Sequence, residues 1–321
     1  MKTAENMPLA TGAARVPWLA VVTFVALACG TAWLVTLPLW LEGGLASPWA
    51  AALLPLMMMT PAVATVIVLF VFRVPGHERA AFLGLWPLRP VGRLLLFLAL
   101  GLFLPMIVVI AAALVAGALG LVRLDLISFS GFADQLAAAA PGAAPALPIQ
   151  VLVIVQMVAL PIGAIINSVF ALGEELGWRG WLHSALLPLG VWPTLLITGV
   201  IWGLWHAPLI LLGYNFGRPD LGGLAFMVGG CVAWGVLLGW LRLRSASLWP
   251  AVLAHGSLNA VGGVVLVFIA SGEVADMAIV GPLGVVVWVM LAVCVAVIAL
   301  VGQFRRGAPA TVARVDTGAA R

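Results

Sequence analysis

The sequence predicts an all-α, polytopic integral membrane protein with about eight transmembrane helices and cytoplasmic N- and C-termini. Of its 321 residues, 64% are hydrophobic and only 8% are charged, whereas soluble domains carry roughly 25% charged residues. This apolar excess cannot be buried inside a water-soluble globule of that length, so a multi-span helical membrane protein is the class that fits. The net charge of +4 therefore bears on topology, and we expect no nucleic-acid partner.

The apolar runs are long enough to cross the hydrocarbon core, which takes about 20 helical residues. The fourth run, 147–190, is ambiguous because it is long enough for more than one crossing. We interpret 162–187 as the crossing part, with a break at Pro161 and a separate apolar segment at 147–160. The alternative is a single tilted helix of roughly 60 Å. The other predicted spans are 17–41, 48–72, 93–120, 192–213, 221–241, 248–270 and 279–302.

The basic residues orient these spans. With the N-terminus inside, thirteen of the 15 Lys and Arg residues fall on the cytoplasmic side, as the positive-inside rule requires. Only Arg123 and Arg218 fall on the other side, and a second crossing in the fourth run would destroy the agreement. The cytoplasmic set is Lys2, Arg15, Arg73, Arg79, Arg89, Arg93, Arg179, Arg242, Arg244, Arg305, Arg306, Arg314 and Arg321.

The chain divides into one transmembrane domain, 16–302, and two tails. Residues 1–15 are predicted to form a cytoplasmic N-terminal tail and residues 303–321 a disordered cytoplasmic tail, because both are polar and rich in small residues. The three cysteines are odd in number and lie far apart in apolar runs. They therefore predict neither a disulfide nor a metal framework.

Polar side chains inside the spans are confined to a short part of the sequence, and such residues are costly in hydrocarbon and usually functional. Glu175 and Arg179 are four residues apart, so they are predicted to pair on one helix face. Glu174 points about 100° away from Glu175 and has no evident partner in its own helix, which leaves it free to act as a general base. His183 is interpreted as an interfacial histidine outside the site. The candidate site residues are Glu174, Glu175, Arg179, His206, His255 and Asn259.

This set of residues suits hydrolysis by an activated water molecule. Glu174 would accept the proton of the water, a histidine would orient the water, and a His/Asn pair would donate to the oxyanion. A metal site stays open, because two histidines and one glutamate can bind zinc and leave another glutamate as base. Taken singly, the Glu175–Arg179 pair is more typical of a structural ion pair, and a lone buried histidine of a core residue or a proton relay.

Three ordered motifs resemble the CPBP family, the CAAX prenyl endopeptidase-like intramembrane proteases that are also called the Abi family. GEELGWRG at 173–180 has the EExxxR pattern of the family, and SLWPAVLAHGSLNA at 247–260 has its HxxxN pattern. WGLWHAP at 202–208 has the histidine of the FxxxH pattern, with Trp202 in the usual place of phenylalanine. The resemblance covers about 150–270.

The resemblance implies an eight-helix membrane protease whose site is open toward the cytoplasm. It assigns water activation to Glu174 and His206, and the oxyanion hole to His255 and Asn259. The second glutamate and the arginine of the first motif would organise their helix. No cofactor is required in this interpretation, although zinc is left open.

The expected partners are the lipid bilayer and a peptide or protein substrate in or near the membrane. The Ala-, Gly- and Arg-rich, lysine-poor composition indicates a high-GC bacterium, so we expect a multi-pass protein of the inner (plasma) membrane and not a prenylated CAAX substrate. One alternative is a non-catalytic immunity or scaffold protein of the same fold. A weaker one is a proton-coupled transporter, which should show paired broken helices in two repeats.

Overall fold

The computed structural model describes residue 13 and residues 15–142 and 147–304. Within these ranges the regular elements are helices, which confirms the predicted fold class. Seven helical stretches are long and apolar enough to cross a membrane, and an eighth apolar helix is shorter. The chain is therefore a multi-pass membrane protein, while the cytoplasmic location of its termini stays a prediction. Most of the two predicted tails lies outside the described residues.

The helices are listed here in chain order. They are α1 (Trp18–Leu41), α2 (Ala50–Met57), α3 (Thr60–Val71), α4 (Arg79–Leu83), α5 (Val91–Ala118), α6 (Ser130–Ala139), α7 (Ile149–Glu175), a π-helical segment (Leu176–Leu182), α8 (His183–Leu186), α9 (Val191–Trp205), α10 (Ala207–Ile210), α11 (Leu221–Ser245), α12 (Trp249–Val261), α13 (Val264–Phe268), α14 (Met277–Val280) and α15 (Val285–Leu300).

The fourth apolar run is one long helix, so the predicted break at Pro161 is wrong. Pro161 lies inside α7, and the helical path continues without a gap to Leu189. A proline removes one backbone donor, and transmembrane helices tolerate this loss because neighbouring groups satisfy the freed carbonyl. The stretch of 41 residues extends about 60 Å at 1.5 Å per residue, about twice the hydrocarbon thickness. The long-helix alternative is therefore the correct one.

The π-helical segment of this long helix contains Arg179. A π-helix has one more residue per hydrogen-bonded turn than an α-helix, and short stretches of it often occur at functional sites. Six of the seven residues in the segment are buried. Gly177 lies against Pro61 of α3, where a Cβ would not fit. The segment is thus held tightly against α3 at the point where it carries the arginine.

Helix α12 packs against α7 and α5 through contacts that leave no room for extra atoms. A Cβ on Gly256 would collide with the carbonyl oxygen of Ala164 and the side chain of Ser168, both on α7. On the opposite side, Ser257 Oγ donates to the carbonyl oxygen of Leu102 on α5 at 2.7 Å. Small residues let membrane helices approach this closely. The position of His255 on α12 is therefore fixed by backbone contact on two sides.

Helices α9 and α11 also pack through glycines. Gly199 and Gly203 of α9 lie against the backbone of α11, and Gly235 of α11 approaches Gly199 to 3.3 Å, measured from its ideal Cβ position to the Cα atom. Small residues at such contacts let membrane helices pack closely. The contact positions the end of α9, where the site begins.

The connecting loops at one end of the bundle are joined by ion pairs. Arg123 Nε is 2.8 Å from Glu273 Oε2, and Arg218 Nη2 is 2.6 Å from Asp276 Oδ2. Arg123 and Arg218, the two basic residues predicted on the outer side of the membrane, therefore both pair with the loop at 269–276. Arg123 also lowers the pKa of Glu273. Nearby, hydrogen bonds from Ser130 and Ser128 hold the pKa of Asp125 well below its usual range.

Replacing Gly256 by alanine is expected to destabilise the protein by about 1–3 kcal/mol, the usual cost of overpacking. The measurement is thermal unfolding in detergent. Gly30→Ala on α1 is the matched control, because no atom lies within 4 Å of the added Cβ and alanine favours a helix. Equal unfolding temperatures for the two variants would contradict the packing described for α12.

Candidate active site

Glu175 is completely buried and joins two helices through one carboxylate oxygen. Its Oε1 accepts a hydrogen bond from Arg179 Nη1 at 2.8 Å and another from His255 Nδ1 at 2.8 Å. The first contact is the ion pair predicted from the four-residue spacing. The second reaches from the end of α7 to α12. A carboxylate buried in a membrane protein requires such partners, because leaving one uncompensated is strongly destabilising.

Glu174 faces the other way and contacts α9. Its Oε2 accepts a hydrogen bond from Trp202 Nε1 at 2.7 Å, and the carboxyl group is almost completely buried. The sequence showed no partner for Glu174 in its own helix, and the partner in the structure comes from another helix. The guanidinium of Arg179 lies 4.3 Å from the centroid of the same indole ring, a cation–π contact.

His206 lies between α9 and α10, where Pro208 in the first turn of α10 accompanies a change of helix. Its Nδ1 is 2.9 Å from the carbonyl oxygen of Trp202. Because a carbonyl oxygen can only accept, Nδ1 carries the proton in this contact. The Nε2 of a neutral His206 then presents a lone pair. The tautomer thus makes His206 a hydrogen-bond acceptor at Nε2.

A cavity of about 520 Å³ brings four of the six candidate residues together. Glu174, His206, His255 and Asn259 line it. Glu175 and Arg179 are buried and are not part of its wall. The candidate residues therefore form two groups, one facing the cavity and one supporting it from behind.

The sequence interpretation missed three residues that contribute to the cavity. Trp202 was noted only as an aromatic replacement, and its hydrogen bond to Glu174 was not foreseen. Asn167 lines the cavity from α7; its spacing of seven from Glu174 places both on one helix face, which a search for amides as well as ionisable groups would have found. Tyr214, the single tyrosine of the chain, lines the cavity from a loop after α10. No pattern in the sequence points to it.

Arg242 and His183 are both buried. The span predicted to end at residue 241 continues as α11 to Ser245, so Arg242 lies inside a helix and its side chain is fully buried. Its Nε donates to the carbonyl oxygen of Arg179 at 3.2 Å and its Nη2 to that of Phe82 at 3.1 Å. His183 was placed at the interface, yet it is only 1% exposed. Neither residue lines the cavity, so both belong to the supporting structure.

The donor groups of the site do not form a metal-binding cluster in the structure. Among the residues that it describes, no group of three or more His, Cys, Asp or Glu side chains is arranged to hold a metal ion. The Nδ1 atoms of both histidines and one oxygen of each glutamate already form hydrogen bonds within the protein. We therefore derive no chemical step through a metal.

Residues 151–261 match the family model described as Type II CAAX prenyl endopeptidase Rce1-like. The match contains all six candidate residues, and its motifs are those whose side chains meet around the cavity. Residues 151–261, about a third of the chain, are thus similar to the CAAX prenyl endopeptidases. The resemblance inferred from the three motifs is thereby confirmed.

One curated protein to which this chain is similar is CAAX prenyl protease 2 of Methanococcus maripaludis. It is 29% identical over 93 residues, which are 27% of this chain and 34% of the relative. The chain thus matches about a third of the length of that relative.

Replacing Glu175 by glutamine is expected to destabilise the protein by about 3–5 kcal/mol, since Arg179 then loses its buried counter-charge. Glu174→Gln is the matched comparison: the residue is adjacent and equally buried, but its carboxylate has one neutral hydrogen-bond donor. It should cost much less. Thermal unfolding in detergent compares the two variants, and a larger loss in Glu174→Gln would refute the supporting role of Glu175.

Proposed function

We propose that this protein is an intramembrane endopeptidase that hydrolyses peptide bonds with a water molecule activated by Glu174. The observation that carries the proposal is the convergence of Glu174, His206, His255 and Asn259 on one cavity within the region that is similar to the CAAX prenyl endopeptidases. These side chains come from the ends or centres of three separate helices. Ionisable groups inside membrane-spanning segments cost free energy and are usually functional.

The hydrogen bonds already made by the two acceptors define where water would bind. Trp202 occupies Oε2 of Glu174, and the carbonyl of Trp202 occupies Nδ1 of His206. Oε1 of Glu174 and Nε2 of His206 remain as acceptors. A water molecule that donates one proton to each presents its oxygen lone pair to the substrate. As that oxygen attacks the peptide carbonyl carbon, Glu174 takes one of its protons.

His255 and Asn259 are suited to stabilise the oxyanion that this attack creates. They lie one helical turn apart on α12, and both line the cavity. With His255 protonated, Nδ1–H donates to Glu175 and Nε2–H is available to the oxyanion, together with the amide of Asn259. The negative Glu175 offsets the charge of the imidazolium. When the intermediate collapses, the C–N bond breaks and Glu174 returns its proton to the departing amine.

The cavity walls indicate an apolar peptide as substrate. Besides the polar residues already named, the wall is mainly apolar and includes four methionines, and neither Lys nor Arg lines it. A free C-terminal carboxylate would be repelled by Glu174, because Glu175 already offsets the charge of His255 and no other cation among the described residues lines the cavity. We therefore propose cleavage at an internal bond of a membrane-bound or lipid-proximal peptide, with the protein in the inner membrane of a bacterium.

Glu174→Gln should abolish cleavage while the protein stays folded, because general base catalysis contributes about 10²–10⁴-fold. The assay follows apolar peptides, with and without a prenylated CAAX end, in detergent by mass spectrometry. Glu42→Gln is the control, since that carboxylate is exposed and does not line the cavity. Unchanged cleavage by Glu174→Gln would refute the base assignment. Failure of the wild type to cleave any peptide would favour a non-catalytic scaffold protein instead.

Removing divalent metal ions should leave the activity unchanged if the carboxylate mechanism is correct. The protein is treated with a strong chelator, the chelator is removed, and cleavage of the same peptide is measured before and after adding zinc. Retained activity supports the proposed mechanism. Loss of activity that zinc restores would show that a metal takes part and would overturn it.

A further inference from the structure

We infer that Trp202 is a positioning residue that holds Glu174 in its reactive state; this inference rests on the proposed function. Trp202 lies on α9 and is almost completely buried. It occupies the position where the family pattern has phenylalanine. The two aromatic residues differ in one respect that matters here, because only the indole carries an N–H donor.

Trp202 contacts four of the six candidate residues, namely Glu174, Arg179, His206 and His255. Its Nε1 donates to Glu174 at 2.7 Å, and its carbonyl oxygen accepts from His206 Nδ1 at 2.9 Å. The guanidinium of Arg179 lies 4.3 Å from the ring centroid, and the ring of His255 meets it edge-on at a centroid distance of 5.2 Å. One residue therefore connects the two groups of the site.

The hydrogen bond to Glu174 has two chemical consequences. First, a donor directed at a carboxylate favours its ionised form, which is the form that accepts a proton from water. Second, it engages Oε2, so that Oε1 is the oxygen left for the water molecule. Phenylalanine would preserve the aromatic surface under Arg179 and the backbone carbonyl for His206. It would remove only the contact that selects the oxygen and stabilises its charge.

The test is the pH dependence of peptide cleavage by Trp202→Phe. Removing the donor should move the acid limb of the kcat profile to higher pH by about one unit. A hydrogen bond to a charged group changes an equilibrium constant by a factor of about ten or more. At the midpoint of the wild-type limb kcat should therefore fall about fivefold, and well below that pH about tenfold. At higher pH the variant should recover, and KM should change little because the ring is kept.

Trp234→Phe is the matched control. Trp234 is equally buried, and its Nε1 donates to the carbonyl oxygen of Pro282 at 2.8 Å, but it does not line the cavity. Loss of the Trp234 hydrogen bond should leave the position of the acid limb unchanged, even if it lowers the stability of the protein. A Trp202→Phe profile that keeps the wild-type limb, or that falls by the same factor at every pH, would overturn the inference and leave Trp202 a packing residue.

A double-mutant cycle tests the same contact without any substrate. The unfolding temperatures of the wild type, Trp202→Phe, Glu174→Gln and the double variant are measured in detergent. The packing lost with the indole is the same in both backgrounds and cancels. The Trp202→Phe change should be more destabilising when Glu174 is present than when glutamine replaces it, and equal shifts would overturn the inference. Absence of proteolysis in the wild type would instead refute the proposed function alone.

Discussion

The site depends on a single buried carboxylate, that of Glu175. A negative charge in the interior of a membrane protein is stable only when donors surround it, and Glu175 finds them in Arg179 on the π-helical segment and His255 on α12. This requirement connects the long fourth helix to the helix that carries the histidine and asparagine of the third motif. It also sets the orientation of the His255 ring, since Nδ1 must point at the carboxylate and Nε2 is thereby turned away from it. A contact behind the cavity thus orients one of the side chains that face it.

The two adjacent glutamates illustrate how environment divides identical side chains into different roles. Glu175 has an arginine and a histidine as partners, so its charge is neutralised inside the protein. Glu174 has a neutral indole donor and faces the cavity. A carboxylate compensated by a full positive charge is a weak base, whereas one held by a neutral donor keeps its capacity to take a proton. The turn of about 100° between successive helical residues separates the two environments.

Much of the fold and most of the site could be predicted from the sequence, because they depend on hydrophobic runs and on spacings between residues close together in the chain. The hydrophobic runs report the helices directly, and the four-residue spacing of Glu175 and Arg179 specifies a pair before any tertiary contact is known. The failures come from contacts between distant segments. The partner of Glu174 is 28 residues away, and the carbonyl of Phe82 that binds Arg242 is 160 residues away. The predicted helix break at Pro161 was wrong because neighbouring helices can stabilise a backbone that lacks one hydrogen-bond donor. The roles of the six candidate residues in catalysis and the orientation in the membrane remain predictions.

Gly256 separates His255 from Ser257 and has no chemical group to contribute. It must nevertheless be small, because α7 lies directly against it. Within the HxxxN motif, an invariant glycine at this position would therefore reflect the distance between two helices and not the reaction. Descendants of this protein that lost their activity would still be under selection to keep Gly256, while His255 and Asn259 became free to vary. The order in which these positions change in a lineage would separate the history of the fold from the history of its chemistry.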